Sequence, residues 1–249
     1  MTRGVLLFCF NTPDVAYHKI TDRCVAQINQ HLDLPITVVT NQSTMDQWHN
    51  PPAVDYVVIH NETGNRRGSQ DWHNLDRCEA YRLSPYDITL LMDTDYFCYT
   101  NNLLEYMDST EDFLIHQDIH DLTGKGLYDF RMNSLIPMLW ATVIVFRKTD
   151  RAKHMFDMVR YIKQHYQYFC SLYRIDFPNF RNDYAFSMAV NQTAGFNQQY
   201  FLPARLPTLP SAARVTGFHN HGVEFEIDGK IGRTEHQDVH VLDKEIVHV

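Results

Sequence analysis

Paired cysteines are missing from this chain. Its five cysteines, Cys9, Cys24, Cys78, Cys98 and Cys170, are odd in number, widely spaced and without a C-x-x-C pair. That pattern argues against a disulfide framework or a zinc knuckle and fits a reducing compartment. Long apolar runs are missing as well. Val5 to Phe10 spans six residues before Asn11-Thr12-Pro13-Asp14, and Leu135 to Phe146 is interrupted by Pro137 and Thr142. Both are too short for a signal core or a bilayer crossing, so no membrane anchor and a cytoplasmic location are expected. An excess of positive charge is also absent: 22 Lys and Arg against 30 Asp and Glu give a formal charge of −8. The overall field of such a chain cannot gather polyanions, and a nucleic-acid partner would need a local patch, for which Arg66, Arg67, Lys148, Arg151 and Lys153 are the candidates. No internal repeat or low-complexity linker divides the sequence, which reads as one domain over residues 1–249.

What is present is apolar residue enough, 44% of 249, for a large core. Val5-Leu6-Leu7-Phe8-Cys9-Phe10 has no polar alternation, the pattern of a strand buried on both faces of a largely parallel sheet. Thr12-Pro13 then predicts a helix start, with Ala16, Ile20, Cys24, Ile28 and Leu32 recurring on one face. Strands are predicted over 36–40 and 54–59, a loop over 61–69, a helix over 70–83 and a strand over 88–92. Alternation of strands with helices points to a doubly wound α/β sheet. Further strands are expected over 113–116 and 138–146, with helices over 150–169 and 183–193. Toward the end, Asp228-Gly229 signals a hairpin between 224–227 and 230–233, and 238–249 reads as strand-like. The fold class is thus α/β with a mostly parallel sheet and a smaller C-terminal antiparallel part.

The strand over 88–92 stops at Asp93-Thr94-Asp95. Open α/β sheets bind ligands where the chain leaves the carboxyl ends of the strands. In an extended segment residues i and i+2 point the same way, so both carboxylates can face one point, where their repulsion is relieved by a hard divalent cation such as Mn2+ or Mg2+. The bland reading of Asp-x-Asp is a capped turn.

Three stretches resemble glycosyltransferases of the GT-A fold. Ser84 to Asp95 is similar to their DxD region, 137–149 to the segment lining the donor sugar, and Asn182 to Ala189 to the acidic helix start facing sugar and acceptor. Ala141-Thr142 departs from the small-residue pattern usual in the second stretch. The resemblance implies a GT-A sheet, a nucleoside-diphosphate sugar donor, UDP in first place, and a metal held by Asp93 and Asp95. Glycogenin-like members complete that site with a histidine near the C-terminus, followed by a lysine on the diphosphate. His240 with Lys244 is the preferred match, Asp238 being placed to orient or supplement it, and His219 and His221 are the other candidates. Asp183 would act as a general base or as a positioning, charge-stabilising carboxylate, its bland alternative being a helix cap. Thr94 would lie against the donor beside the aspartates.

The loop after the first strand, with Asn11, Thr12 and Tyr17, is placed to touch base and ribose, and Arg77 to approach the diphosphate. The aromatic stretch from Tyr161 to Tyr173 suits packing, a partner surface or stacking. An acceptor hydroxyl on a saccharide, a protein or a modified DNA base is compatible with the sequence, as for a bacterial or phage enzyme. A nucleotidyltransferase of similar fold is disfavoured because no Gly-rich phosphate loop follows the first strand. A non-catalytic nucleotide- or metal-binding protein is the remaining alternative.

Overall fold

Apolar strands without polar alternation must be covered on both faces, and that requirement organises the computed structural model of the protein. The structure describes residues 1–60, 65–67, 70–72, 75–125, 134–176, 179–195 and 198–249. The chain begins with β1 (Arg3–Phe8), α1 (Tyr17–His31), β2 (Ile36–Thr40), α2 (Gln42–Gln47) and β3 (Tyr56–Ile59). Two short strands, β4 (Asn65–Arg67) and β5 (Gln70–Trp72), pair with each other. A 3-10 turn (Leu75–Glu79) runs into α3 (Ala80–Leu83), then β6 (Ile88–Met92), β7 (Tyr96–Phe97), α4 (Leu103–Asp108), β8 (Phe113–His116) and β9 (Ile119–Asp121). The second half holds β10 (Trp140–Arg147), α5 (Asp150–Gln164), α6 (Tyr166–Tyr173) and α7 (Asn182–Ala194). It closes with β11 (Leu206–Leu209), β12 (Arg214–His219), β13 (Gly222–Ile227), β14 (Lys230–Arg233), β15 (Val239–Val241) and a last 3-10 turn (Lys244–His248).

The central sheet has six strands in the order β3-β2-β1-β6-β10-β8. Its first four strands are parallel, and β10 runs antiparallel to both neighbours. One face packs on α1 through Ile20, Cys24, Val25 and Ile28; the other packs on α5 and α7 through Phe156, Val159, Ile162, Phe186 and Val190. Beside it stand a four-stranded sheet, β7-β15-β11-β9, and an antiparallel three-stranded sheet, β12-β13-β14. This is the mixed α/β architecture expected, with its smaller antiparallel part toward the C-terminus. The Asp228-Gly229 hairpin is present between β13 and β14, with both residues at positive φ (50° and 70°), as a two-residue primed turn requires.

Several boundaries differ from expectation, each for a tertiary reason. Helix α1 starts at Tyr17, because Thr12 is spent on a local turn in which its Oγ1 accepts from Val15 N at 3.0 Å. Helix is absent over 70–72, where β5 lies, and the following turn leaves helical geometry at Asp76. There the side chains are recruited elsewhere, Asp76 to His60 and Lys163, Arg77 to Asp93. The long helix expected over 150–169 breaks at His165 (φ −119°), which turns Tyr166, Phe169 and Tyr173 into the core beside α7. Of the segment 238–249, only Val239–Val241 is strand.

Candidate functional site

Leaving β6, the chain folds a tight turn. Asp93 N donates to Thr142 O on β10 at 2.9 Å, and Tyr96 N donates to Asp93 O at 3.2 Å. The next residues, β7, pair antiparallel with β15, setting Tyr96 opposite His240, and Val241 N donates to Asp95 O at 2.9 Å. Two segments about 145 residues apart in sequence are thereby laced together. Asp93, Asp95 and His240 consequently offer one ligand atom each within 4.8 Å of one another, the one such group among the described residues.

Their surroundings are charged and closely packed. Lys244 Nζ donates to Asp95 Oδ2 and, at 3.3 Å, to Val241 O. Arg77, only 1% exposed, donates to Asp93 Oδ1 and, at 3.1 Å, to Thr142 O. Arg77 therefore lies behind Asp93 as its buried counterion. Asp93 is the more open of the two aspartates, its side chain 28% exposed against 10% for Asp95. Burial works to raise the Asp95 carboxyl, but Lys244 and then His240 outweigh it and hold the group well below the usual carboxylate range. Asp93 moves the other way: burial raises it against the pull of Arg77, and the charge of Asp95 adds to the rise. Burial opposes the charge on Lys244, yet Asp95 and Tyr17 keep its ammonium protonated above the ordinary lysine value.

A divalent cation fits this donor set. Asp95 Oδ1 and His240 Nδ1 are buried without a hydrogen-bond partner, and His240 Nε2 stands 3.5 Å from Asp95 Oδ1. Two carboxylates and one imidazole suit Mn2+ or Mg2+ better than a soft ion. The fixed charges already balance, Asp93 and Asp95 against Arg77 and Lys244, so a divalent cation entering alone leaves a net positive site. It is best accommodated together with an anion such as a diphosphate.

The remaining candidates distribute as follows. Tyr17, the first residue of α1, feels the charges of Lys244, Asp95 and Asp93, and burial raises its phenol. Thr94 is buried between the two aspartates. Asp183 lies in the first turn of α7, where its Oδ1 accepts from Ala141 N at 2.9 Å and its Oδ2 from Arg181 Nη2 at 3.2 Å. It does not cap the helix, since the cap position is Arg181. Its charge contributes to the rise at Asp93, and it lines a pocket with Met138, Leu139, Trp140, Arg181 and Tyr184. Asn11 is committed locally, holding His18 and, at 3.0 Å, Gln47. His219 and His221 sit exposed at the β12–β13 end and take no part in the aspartate cluster; His219 faces Glu224 at 3.9 Å. Asp238 does not contact His240. Its carboxylate instead accepts from Tyr99 N and Thr100 N, both at 2.8 Å, and from the Thr100 and Tyr96 hydroxyls.

Among the basic residues proposed as a patch, Lys148 donates to Tyr81 O, Lys153 pairs with Asp157 at 2.7 Å and Arg151 lies 4.9 Å over the Tyr200 ring. The Arg66 and Arg67 side chains lie outside the described residues.

No family model matches this chain, and no curated protein matches it. Among solved structures it is similar to the glycosyltransferase GlyE of Streptococcus pneumoniae TIGR4, at 15% identity and a TM-score of 0.44, over 82% of this chain and 46% of that one. It is also similar to an active-site mutant of LgtC, at 10% identity and 0.49, over 74% and 69%. A third likeness is to mouse xyloside xylosyltransferase 1 in its apo form, at 11% identity and 0.49, over 81% and 84%. The chain spans less than half the length of GlyE. No helix among the described residues is long and apolar enough to cross a membrane.

The sequence singles out both Arg77 and Asp238 but not their partners: Arg77 pairs with Asp93 as a buried counterion, and Asp238 accepts from the segment after Asp95. Both depend on partners distant in sequence, 16 residues away for Arg77 and Asp93 and 142 for Asp238 and Tyr96.

Proposed function

We propose that this protein is a metal-dependent glycosyltransferase that moves a sugar from a nucleoside-diphosphate donor, UDP in first place, to an acceptor hydroxyl. The observation that carries the reading is the convergence of Asp93, Asp95 and His240 beside Lys244 where β6 leaves the sheet. Asp93, Asp95 and His240 would hold Mn2+ or Mg2+, which when bound supplies Lewis-acid stabilisation of the departing diphosphate oxygens. Lys244, a protonated ammonium beside Asp95, turns toward the same oxygens as negative charge develops there. Thr94 and Tyr17 line the donor side, with Asn11 and Thr12 forming the turn that faces base and ribose. Arg77 fixes the Asp93 carboxylate from behind rather than reaching the donor itself.

Asp183 occupies the sugar side. Both its oxygens already accept hydrogen bonds, from Ala141 and Arg181, which orients the carboxylate and leaves it little freedom to turn toward a proton. That favours positioning and stabilisation of positive charge on the sugar over proton abstraction. The pocket formed with Met138, Leu139 and Trp140 gives the pyranose apolar and aromatic walls.

The test is donor consumption. Incubation with Mn2+ and a panel of UDP- and GDP-sugars should release free nucleoside diphosphate by slow hydrolysis or transfer, and Asp95→Asn or excess chelator should abolish the release. Undiminished release in chelator, or in Asp95→Asn, removes the metal-dependent reading.

A further inference from the structure

One of the histidines outside the aspartate cluster, His221, belongs to a second constellation with His236. His221, at the turn between β12 and β13, and His236, in the segment leading from β14 to β15, stack with ring centroids 4.6 Å apart and planes 28° from parallel. Both residues are exposed, and no hydrogen bond or ion pair among the described residues engages either ring. Their backbones are locked. His236 N donates to His221 O at 2.7 Å, Thr234 N to Val223 O at 2.9 Å, and Val223 N to the Thr234 hydroxyl at 2.9 Å. The approach is close enough that a Cβ at Gly222 would lie 1.7 Å from Thr234 O, so only glycine fits there. His236 itself is held at φ 50°, a left-handed conformation that a non-glycine residue keeps only where the surroundings impose it.

We propose that His221 and His236 form a bidentate site for a borderline divalent cation, Zn2+, Ni2+ or Cu2+, separate from the aspartate cluster. Imidazole nitrogens bind such ions at about 2.0–2.1 Å, which places the centroids of two cis ligands about 4.5–5.2 Å apart between square and tetrahedral angles. The observed 4.6 Å falls in that interval, and the proposal requires the two exposed side chains to turn from their stacked arrangement so that one nitrogen of each faces a common ion. Hard Mg2+ does not favour two imidazoles, so the two sites divide metals by donor chemistry. His236 stands four residues before His240, and an ion between the two rings ties the β12–β13 turn to the segment that delivers His240.

The experiment is Zn2+ and Cu2+ titration of the whole chain by calorimetry, with copper EPR and thermal unfolding. Wild-type protein should bind Zn2+ at the aspartate cluster and at the histidine pair, and copper bound at the pair should show coupling to two imidazole nitrogens. His221→Ala and His236→Asn, the latter chosen because asparagine tolerates a left-handed φ, should each lose one equivalent, or weaken it at least tenfold, and abolish that part of the Zn2+-induced rise in Tm. His219→Ala should leave both unchanged. Unchanged Zn2+ stoichiometry and affinity in His221→Ala and His236→Asn, a lost equivalent in His219→Ala, or wild-type copper that shows no centre coupled to two imidazole nitrogens overturns the proposal, whether or not the aspartate cluster takes Zn2+. None of these outcomes bears on the aspartate cluster, which Asp95→Asn tests separately.

Discussion

At the residue scale the site is a balance of opposite charges, and its variants divide by which charge is left behind. Asp93→Asn strands the Arg77 guanidinium, 1% exposed, without its carboxylate. Breaking a buried pair from one side costs about 3–5 kcal/mol, whereas replacing both partners with groups of similar size is nearly neutral. Asp93→Asn should therefore lower the denaturation midpoint, and the double change Arg77→Met with Asp93→Asn should recover most of that loss while remaining inactive. Urea titration of the three variants measures this; an unchanged midpoint in Asp93→Asn would mean that Arg77 is paired elsewhere. Lys244→Met, which removes one of the two balancing positive charges, should leave the Mn2+ affinity undiminished or stronger but cut donor turnover by roughly a hundredfold, the usual loss of one electrostatic stabiliser. Steady-state kinetics beside Mn2+ EPR separates the two effects. Asp93 and Asp95 were legible in the sequence because they end an apolar strand, although the structure brings them together through a tight turn, Tyr96 N donating to Asp93 O, and not as an extended i, i+2 pair. His240, with Lys244 four residues on, is already the preferred match over His219 and His221 in the sequence; what no local pattern encodes is the pairing of β15 with β7 that carries it to the aspartates.

At the scale of elements, what holds the site is the lacing of the 93–100 segment to β15, and Asp238 is its knot. One carboxylate satisfies two backbone N–H groups and two hydroxyls there, all inside the fold. Asp238→Ala leaves the Tyr99 and Thr100 amides without acceptors, at roughly 1–3 kcal/mol for each unsatisfied group. The expected outcome is a loss of about 3 kcal/mol and weaker Mn2+ binding by the protein that remains folded, read by thermal unfolding and EPR. A stability loss with unaltered metal affinity would show that the lacing does not set the spacing of Asp95 and His240. The strands were legible because β1, β2 and β6 are uninterrupted apolar runs. The helix expected over 70–83 was not, because its side chains bond to His60, Asp93 and Lys163 across the fold and override local propensity. The break at His165 was hidden for the same reason, being set by what Tyr166 and Phe169 pack against.

On the scale of the whole molecule, one buried histidine makes stability fall as the medium turns mildly acidic. His116 ends β8, opposite Trp140 on β10, and is 2% exposed; its Nδ1 donates to Ala204 O at 2.9 Å. Burial pushes its pKa from 6.5 down to about 4, against the pull of the Ala204 carbonyl and with a further push from His240. The unfolded chain therefore takes up a proton near pH 6.5 that the folded chain refuses until about pH 4. More protons bound in the unfolded state mean that stability rises with pH across that window, so acidification from 6.5 to 4 should remove up to about 3 kcal/mol. Carboxylates such as Asp95, whose pKa is depressed in the fold, act in the same direction, but their contribution disappears at lower pH, as each is protonated below the ordinary carboxylate range. The two can be told apart by variant. In His116→Gln, whose amide replaces the donor to Ala204 without titrating, the slope of stability against pH between 6.5 and 4 should flatten while the steeper loss below 4 persists. Urea midpoints measured at half-unit steps give both slopes, and an undiminished slope above pH 4 in His116→Gln would assign the acid sensitivity to other histidines among the fourteen.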